Sequence, residues 1–168
     1  GPDAWQETRV LLDAIPGHPL YNGGRIAFGP DGMLYIATGW TERRERPQDL
    51  DNLAGKILRL TQDGEVPADN PFPGSPVWSL GHRNPQGLAL DDQGRLFAAE
   101  HGQSGHDEVN EIVKGGNYGW PLVQGDETGE GLRPPLAHSG RSTWAPSGLA
   151  WHEGRLLVAS LRQGAVLA

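Results

Sequence analysis

The chain has 168 residues, a formal net charge of −7 and no cysteine. The acidic balance argues against a nucleic-acid surface, because phosphate contacts require clustered Lys and Arg, and no apolar run is long enough to span a membrane. The lack of cysteine excludes a disulfide framework and leaves the cellular compartment open. With 25 Gly and 14 Pro, the chain is interrupted too often for long helices, which predicts an all-β protein.

The first residues carry two weak signals. Gly1 and Pro2 are typical of the remnant of a cleaved purification tag, so we expect no signal peptide here and do not derive a localisation from the chain. Residues 6–13 alternate weakly between apolar and polar side chains and stop before Pro16-Gly17. This pattern predicts a strand on the outside of a sheet.

Three stretches of the chain share one pattern, in which an alternating strand, a turn with glycine and a second strand follow one another. They are residues 22–39, 84–102 and 145–164, and the turn glycines Gly32, Gly94 and Gly154 recur about every 60 residues. Repeated hairpins joined by Gly, Pro and Asp turns are typical of propeller blades. We therefore predict a single partial β-propeller over residues 1–168, made of about three four-stranded antiparallel blades.

Arg83 and Asn84 stand directly before the second hairpin, followed by Pro85. Loops at strand ends are where binding sites are built. A guanidinium binds carboxylates in a bidentate manner and stacks on flat rings, while a carboxamide offers N–H donors. The pair is therefore a candidate ligand-binding element, and the alternative is that it ties one loop to the next blade.

Longer motifs in the middle of the chain carry a family resemblance. Residues 81–89, the triplet that begins at Glu100, the segment 107–110 and the segment 115–121 closely resemble the soluble aldose sugar dehydrogenases that depend on pyrroloquinoline quinone (PQQ), in the glucose/sorbosone dehydrogenase family. The resemblance extends from about Gly23 to about Gly164. It implies a piece of a six-bladed propeller from a periplasmic or secreted enzyme that oxidises the anomeric hydroxyl of aldoses with PQQ and calcium.

The resemblance also assigns site residues. It implies that Arg83 and Asn84 contact PQQ, and that the triplet Ser160, Leu161 and Arg162 matches a second group that contacts the cofactor. The carbonyls of Gly102 and Gln103 match those that help to bind the PQQ-linked calcium, although relatives have proline in place of Gln103. Calcium is also expected at Glu108 and at the carbonyl of Tyr118, since hard cations collect carboxylate and carbonyl oxygens.

The position of the catalytic base departs from the family pattern. Relatives carry a histidine two residues before the Gly-Gly-Arg sequence, where this chain has Tyr21. A tyrosine phenol is ionised at neutral pH to only about one part in a thousand, whereas histidine is suited to proton transfer. Three alternatives follow: Tyr21 replaces the base, His18 reaches in from three residues upstream, or the chain does not catalyse.

Three functions are consistent with these observations. The first is a PQQ-dependent sugar dehydrogenase, and the second is a non-catalytic, calcium-binding half-propeller. The third is a calcium-dependent propeller lactonase, which would leave Arg83 and Asn84 without their family role. Because open blade edges invite pairing, we also expect a homodimer that completes a ring of six blades.

Overall fold

The computed structural model describes residues 9–168, in which eleven strands and one short 3-10 helix alternate with turns and no α-helix occurs. The strands are β1 Gly23–Phe28, β2 Leu34–Thr38, β3 Lys56–Leu60, β4 Val77–Leu80, β5 Pro85–Leu90, β6 Leu96–Glu100, β7 Glu108–Ile112, β8 Ala137–His138, β9 Pro146–His152, β10 Arg155–Ser160 and β11 Ala165–Leu167; the 3-10 helix is Arg46–Gln48. No helix among these residues has the length and apolar character needed to cross a membrane.

The strands form three antiparallel sheets. Blade 1 has the order β1-β2-β3-β4, blade 2 has β5-β6-β7-β8, and blade 3 has β9-β10-β11. The first strands of successive blades, β1, β5 and β9, pack against one another in that order. This radial arrangement confirms the predicted all-β propeller. Blades 1 and 2 are four-stranded as expected, whereas blade 3 has three strands within the described residues.

The predicted strand over residues 6–13 is not present in the part that can be compared. Gln6, Glu7 and Thr8 lie outside the described residues, and Arg9 to Asp13 form no ladder. Arg9 instead pairs with Asp63 at 2.6 Å, and Leu12 packs on the blade 1 cluster that contains Leu58. A weak alternation of apolar and polar residues also occurs in loops that pack one apolar side against the protein. Residues 9–13 form such a loop.

The hydrophobic core lies between the blades. One cluster joins Tyr35 and Ile57 of blade 1 to Leu88 and Leu96 of blade 2. A smaller cluster joins Ala99 and Val109 of blade 2 to Val158 of blade 3. Strands covered on both faces bury every residue, as β3 and β6 do. These two interfaces hold the blades together, since each fully buried aliphatic side chain contributes about 1.5–3 kcal/mol.

Each blade has the same irregularity at one end of its first hairpin. The inner strand carries one residue more than its partner, between Gly23 and Ile26 in β1, between Pro85 and Gly87 in β5, and opposite the interval from Val158 to Ser160 in β9. Such bulges bend a strand and redirect its side chains, and they concentrate beside functional sites. The bulged ends lie opposite the hairpin turns, so one end of the blades is irregular and the other is regular.

Candidate functional site

The bulged ends of the strands bring the predicted site residues to one end of the blades. An inner strand begins at the same edge at which its antiparallel partner ends, so residues before the first strand lie beside residues after the second. The residues collected in this way are Tyr21, Trp40, Arg83, Asn84, Glu100, His101, Ala145 and Ser160.

Arg83 lies in the loop between β4 and β5, which carries the chain from blade 1 to blade 2. Its backbone N–H donates to the Glu100 Oε2 atom over 2.7 Å, and its carbonyl accepts the Trp40 N–H over 2.8 Å. Its Nη1 donates to the carbonyl of His101 over 3.1 Å. Only 9% of Arg83 is exposed. The guanidinium is therefore held in one place by both blades.

Three aromatic rings surround the Arg83 guanidinium. The Arg83 Cζ lies 4.6 Å from the ring centroid of Tyr21, 5.3 Å from that of Trp120 and 5.7 Å from that of Trp40. These are cation–π distances. The Nε of Arg83 and the indole Nε1 of both tryptophans find no hydrogen-bond partner among residues 9–168. Buried donors are normally satisfied, so three unpaired N–H groups in one place suit a ligand rich in acceptor atoms.

Asn84 is also buried and also joins two blades. Its Oδ1 accepts the backbone N–H of Gly23 in blade 1 and the Nε2 of Gln86 in blade 2, both over 3.1 Å. Within the described part of the chain no hydrogen bond engages its Nδ2. The carboxamide thus leaves a donor beside Arg83 that can point to a ligand.

Tyr21 and His18 have different surroundings. Tyr21 has φ of +60°, which is rare for a bulky side chain, and its carbonyl accepts the Thr41 N–H over 3.3 Å. His18 is bound within its own turn, where its Nδ1 accepts the Leu20 N–H over 3.1 Å and its Nε2 lies 3.6 Å from Glu42. Of the two candidate bases, Tyr21 is the one that contacts Arg83.

The loop after β6 is held in an unusual backbone conformation. Ser104, Gly105 and His106 have φ of +56°, +90° and +55° in succession. Asp107 fixes this loop, because its Oδ1 accepts the Gly102 N–H over 2.9 Å while its Oδ2 accepts the N–H of Trp144 over 2.7 Å. The left-handed residues cost energy that the surrounding bonds must offset. The carbonyl groups of Gly102 and Gln103 belong to this fixed loop.

A small, partly open cavity lies between Glu108 and the Arg83 loop. The space open to the centre of a water-sized sphere is about 10 Å³, enough for one ion or water molecule. The residues that line it are Gly81, Arg83, Glu100, His101, Gly102, Glu108, Tyr118, Trp120, Val123 and Gln124.

Buried negative charge and unpaired oxygen atoms meet around this cavity. Burial, followed by the charge of Glu100, raises the pKa of Glu108 to about 7. The Oδ1 of Asn110 and the Oε1 of Gln124 have no donor among the described residues. Within residues 9–168 no three His, Asp or Glu side chains form a metal cluster by themselves. A cation in this cavity would need carbonyl or amide oxygens as ligands in addition to the carboxylates of Glu100 and Glu108.

The third-blade triplet lies at the same end. Ser160 is buried and its hydroxyl donates to the Trp144 carbonyl over 2.7 Å, whereas Leu161 is 71% exposed. The backbone N–H of Arg162 donates to the Trp144 carbonyl over 3.1 Å, and its side chain is exposed. The His101 ring contacts the Pro146 carbonyl at 2.7 Å, and Pro146 pairs with Ser160. Arg83 and the triplet are therefore connected through His101.

Sequence reasoning did not identify five residues of the site: Trp40, Glu100, Asp107, Trp120 and Gln124. Glu100 and Asp107 stand inside the motifs that carried the resemblance, so their positions were visible. Their hydrogen bonds could not be predicted, because a carboxylate at the end of a strand is usually exposed. The unbroken apolar run before Glu100 was the one signal that this strand end is buried.

These features define a β-propeller with a cluster of buried polar and aromatic side chains at one end of its blades. The chain belongs to the glucose/sorbosone dehydrogenase family, whose model matches residues 2–168. The family predicted from the motifs is therefore confirmed.

The chain is similar to several named proteins and solved structures. It is 46% identical over 121 residues to the aldose sugar dehydrogenase YliI of Escherichia coli K12, covering 68% of this chain and 33% of that protein. It is 39% identical over 151 residues to quinoprotein glucose dehydrogenase B of Acinetobacter calcoaceticus, covering 76% and 32%. The PQQ-bound aldose sugar dehydrogenase of Streptomyces coelicolor superimposes with a TM-score of 0.88 and 52% identity, covering 91% and 46%. The chain thus spans about a third of the curated relatives' length and about half of the solved structure.

Proposed function

We propose that this chain provides the Arg83 side of a PQQ site in a dehydrogenase that oxidises the anomeric hydroxyl of aldose sugars. The observation that carries the proposal is the caged Arg83 guanidinium, with unpaired N–H donors around it, in a member of this family. The PQQ-bound form of a relative with 52% identity supports the choice of cofactor. PQQ, when bound, supplies an ortho-quinone that accepts two electrons from the sugar.

The donors at the site fit a planar tricarboxylate. The Arg83 guanidinium can pair with a carboxylate and stack on a flat ring, and the two indole N–H groups add donors in a largely buried setting. Asn84 offers its Nδ2 to a quinone oxygen. Ser160, Leu161 and Arg162 would complete the site from blade 3, with the exposed Arg162 side chain supplying the second cation.

We also propose two calcium positions. The carbonyls of Gly102 and Gln103 would bind an ion linked to PQQ, because their loop is fixed by Asp107 beside Arg83. Glu108 and the Tyr118 carbonyl would bind an ion in the small cavity, where burial and the neighbouring Glu100 raise the pKa of the Glu108 carboxyl. Both positions offer oxygen atoms alone, as calcium requires.

The proton acceptor for the sugar hydroxyl would be Tyr21 or His18. Tyr21 contacts Arg83, whereas His18 is engaged by Leu20 and Glu42. A packed phenol is a poor general base. This contact also favours a second candidate function, a calcium-binding half-propeller that does not catalyse.

Titration with PQQ in the presence of calcium tests the proposal. We expect the absorbance of PQQ to change with a saturable dependence on protein, and Arg83→Ala to weaken binding at least tenfold. Arg155→Ala, at an exposed hairpin position, is the matched control and should bind normally. Calcium binding without PQQ binding would favour the non-catalytic module, and lactone hydrolysis would favour the lactonase.

A homodimer is proposed from the two outer faces of the described blades. On blade 1, Ile26 and Phe28 of the inner strand are 62% and 60% exposed. On blade 3, Val158 and Leu167 face blade 2, so Val166, which pairs with Ala159, lies on the opposite face and is 67% exposed. Two copies related by a twofold axis would cover both faces and give six blades.

The sugar substrate and the location of the protein rest on the same resemblance. We propose an aldose substrate and a periplasmic or secreted location. Recovery of the native protein only from the cytoplasmic fraction of its cells would overturn the location.

A further inference from the structure

Glu100 is the centre of a buried hydrogen-bond network that links blades 1 and 2. Its Oε1 accepts the His82 Nδ1–H over 2.9 Å and the Asn110 Nδ2–H over 3.0 Å, and its Oε2 accepts the Arg83 N–H over 2.7 Å. The His82 Nε2 lies 2.8 Å from the Ser79 hydroxyl. One carboxylate therefore receives three donors, two from the loop between β4 and β5 and one from β7.

The order Ser79, His82, Glu100 is that of a catalytic Ser-His-acid triad, but the burial excludes that role. Ser79 and His82 are both 0% exposed, and the His82 ring stacks on Tyr118 with 4.7 Å between ring centroids. A nucleophile must reach the atom that it attacks, and no substrate reaches this serine. We therefore look for an effect of this network on the residues beside it.

We propose that Glu100 is a positioning residue, and that its carboxylate, oriented by His82 and Ser79, fixes the place of Arg83 and Asn84. The consequence for cofactor affinity rests on the proposed function of the site. Among the described residues, Glu100 makes no hydrogen bond to the Asn84 carboxamide or to the Arg83 guanidinium. It acts on Arg83 through the backbone N–H, and its carboxylate also lines the small cavity.

Backbone hydrogen bonds hold the loop on both sides of Arg83, whereas the Arg83 N–H itself depends on Glu100. Residues 81–84 follow the β4 ladder, and Gly81 has φ of +77° at a place where a Cβ would collide with the Asn117 carboxamide. The Arg83 amide is buried with no backbone acceptor in reach, so the Glu100 carboxylate is its partner. Charge-assisted bonds of this kind are shorter and about twice as strong as neutral ones. Moving the carboxylate would move the guanidinium inside its aromatic cage.

Glu100→Gln is the informative variant, because it keeps the shape but leaves one acceptor oxygen for three donors. Glu111→Gln is the matched control, since Glu111 is half-buried on the neighbouring strand β7 and its carboxylate makes no hydrogen bond in the described chain. The first readout is amide hydrogen exchange in the absence of any ligand. We expect Arg83 exchange to rise at least tenfold in Glu100→Gln, with Ala98 of β6 as an internal reference that stays within twofold.

The second readout is the Kd for PQQ, measured well below the melting temperature. We expect a 10- to 100-fold rise in Glu100→Gln, the range typical of residues that orient a ligand-binding group, and none in Glu111→Gln. A purely structural role would speed exchange across all of β6 together and leave the Kd unchanged, which would overturn the proposal.

Two further outcomes are separated by the design. Failure of the unmodified chain to bind PQQ would overturn the proposed function, while the exchange of the Arg83 amide would still decide whether Glu100 positions it. If Glu100→Gln does not fold, Ser79→Ala removes only the far end of the network. In Ser79→Ala, a smaller, roughly threefold rise in the exchange rate of the Arg83 amide supports the proposal. An unchanged exchange rate overturns it.

Discussion

Tyr21 lies across the guanidinium of Arg83, with 4.6 Å between its ring centroid and the Arg83 Cζ. The contact is worth about 0.5–2 kcal/mol, depending on how well water is excluded. A planar cofactor that stacks on the guanidinium would compete with Tyr21 for this contact. The residue at the family's base position is thus engaged with the main candidate for cofactor binding.

Replacing Tyr21 by histidine should raise sugar-dependent dye reduction in the presence of PQQ and calcium. A positioned base contributes about 10²- to 10⁴-fold to the rate, and the smaller imidazole leaves the Arg83 face open. Tyr21→Phe and His18→Ala are the controls. Turnover of about 1 to 10³ per second in the unmodified chain, retained in Tyr21→Phe, would show that the base lies elsewhere.

Calcium should stabilise the fold through Glu108. An ion that binds only the native state, at a hundred times its dissociation constant, adds about 2.7 kcal/mol to the free energy of unfolding. We expect the melting temperature to be higher in millimolar calcium than in excess chelator, and the difference to vanish in Glu108→Gln. Glu130→Gln, an exposed carboxylate, should keep the difference. Equal melting temperatures with and without calcium in the unmodified chain would count against the site.

Without calcium, stability should fall as the pH rises from about 4.5 to about 7. The pKa of Glu108 is raised from 4.5 to about 7 in the folded chain, first by burial and then by Glu100. The folded state therefore binds more protons than the unfolded state in this window, and the free energy of unfolding declines as the pH rises. Chemical denaturation at pH 5 and pH 7 in chelator measures the decline, which Glu108→Gln should reduce.

Lys56 gives the opposite slope at higher pH. Burial lowers its pKa from 10.5 to about 7, and its ammonium donates to the carbonyls of Arg46, Pro47 and Ala54 over 2.7, 3.2 and 2.8 Å. The unfolded state binds more protons between these two pH values, so stability should rise from pH 7 towards pH 10. Lys56→Met should remove this rise and the exposed Lys114→Met should not. An identical slope in both variants would contradict the assignment.

The mass of the 168-residue chain in solution tests the dimer. We expect light scattering to give twice the chain mass of 18.1 kDa at micromolar concentration. Phe28→Glu should return the monomer, because a charge would be placed in the contact face. Lys114→Glu, in an exposed turn of blade 2, serves as a control for added negative charge. A monomer mass that does not change with concentration would exclude the dimer.

The sequence was sufficient for the fold because the blades repeat. The turn glycines Gly32, Gly94 and Gly154 adopt φ of +74°, +78° and +79°, so the same local requirement appears three times at a constant spacing. Weak patterns that occur only once in the sequence did not predict structure as well. The alternation before Pro16 carried no information on whether a partner strand lies beside it.

The site was only partly predictable for a different reason. Arg83 and Asn84 stand together in the sequence, and their motif identified them. Trp40 and Trp120 reach the same guanidinium from positions far apart in the chain, and the contacts depend on how two blades pack. No spacing rule encodes that packing, so the aromatic cage could only be found in three dimensions.

The bonds that form the site are also the bonds that cross from blade to blade. Asn84 in blade 2 accepts the N–H of Gly23 in blade 1, and His101 in blade 2 contacts the Pro146 carbonyl in blade 3. A single blade, even perfectly folded, would carry the right side chains without their arrangement. Ligand affinity at this end should therefore depend on how well neighbouring blades are docked. A slow opening between two blades should release the ligand before any strand unfolds.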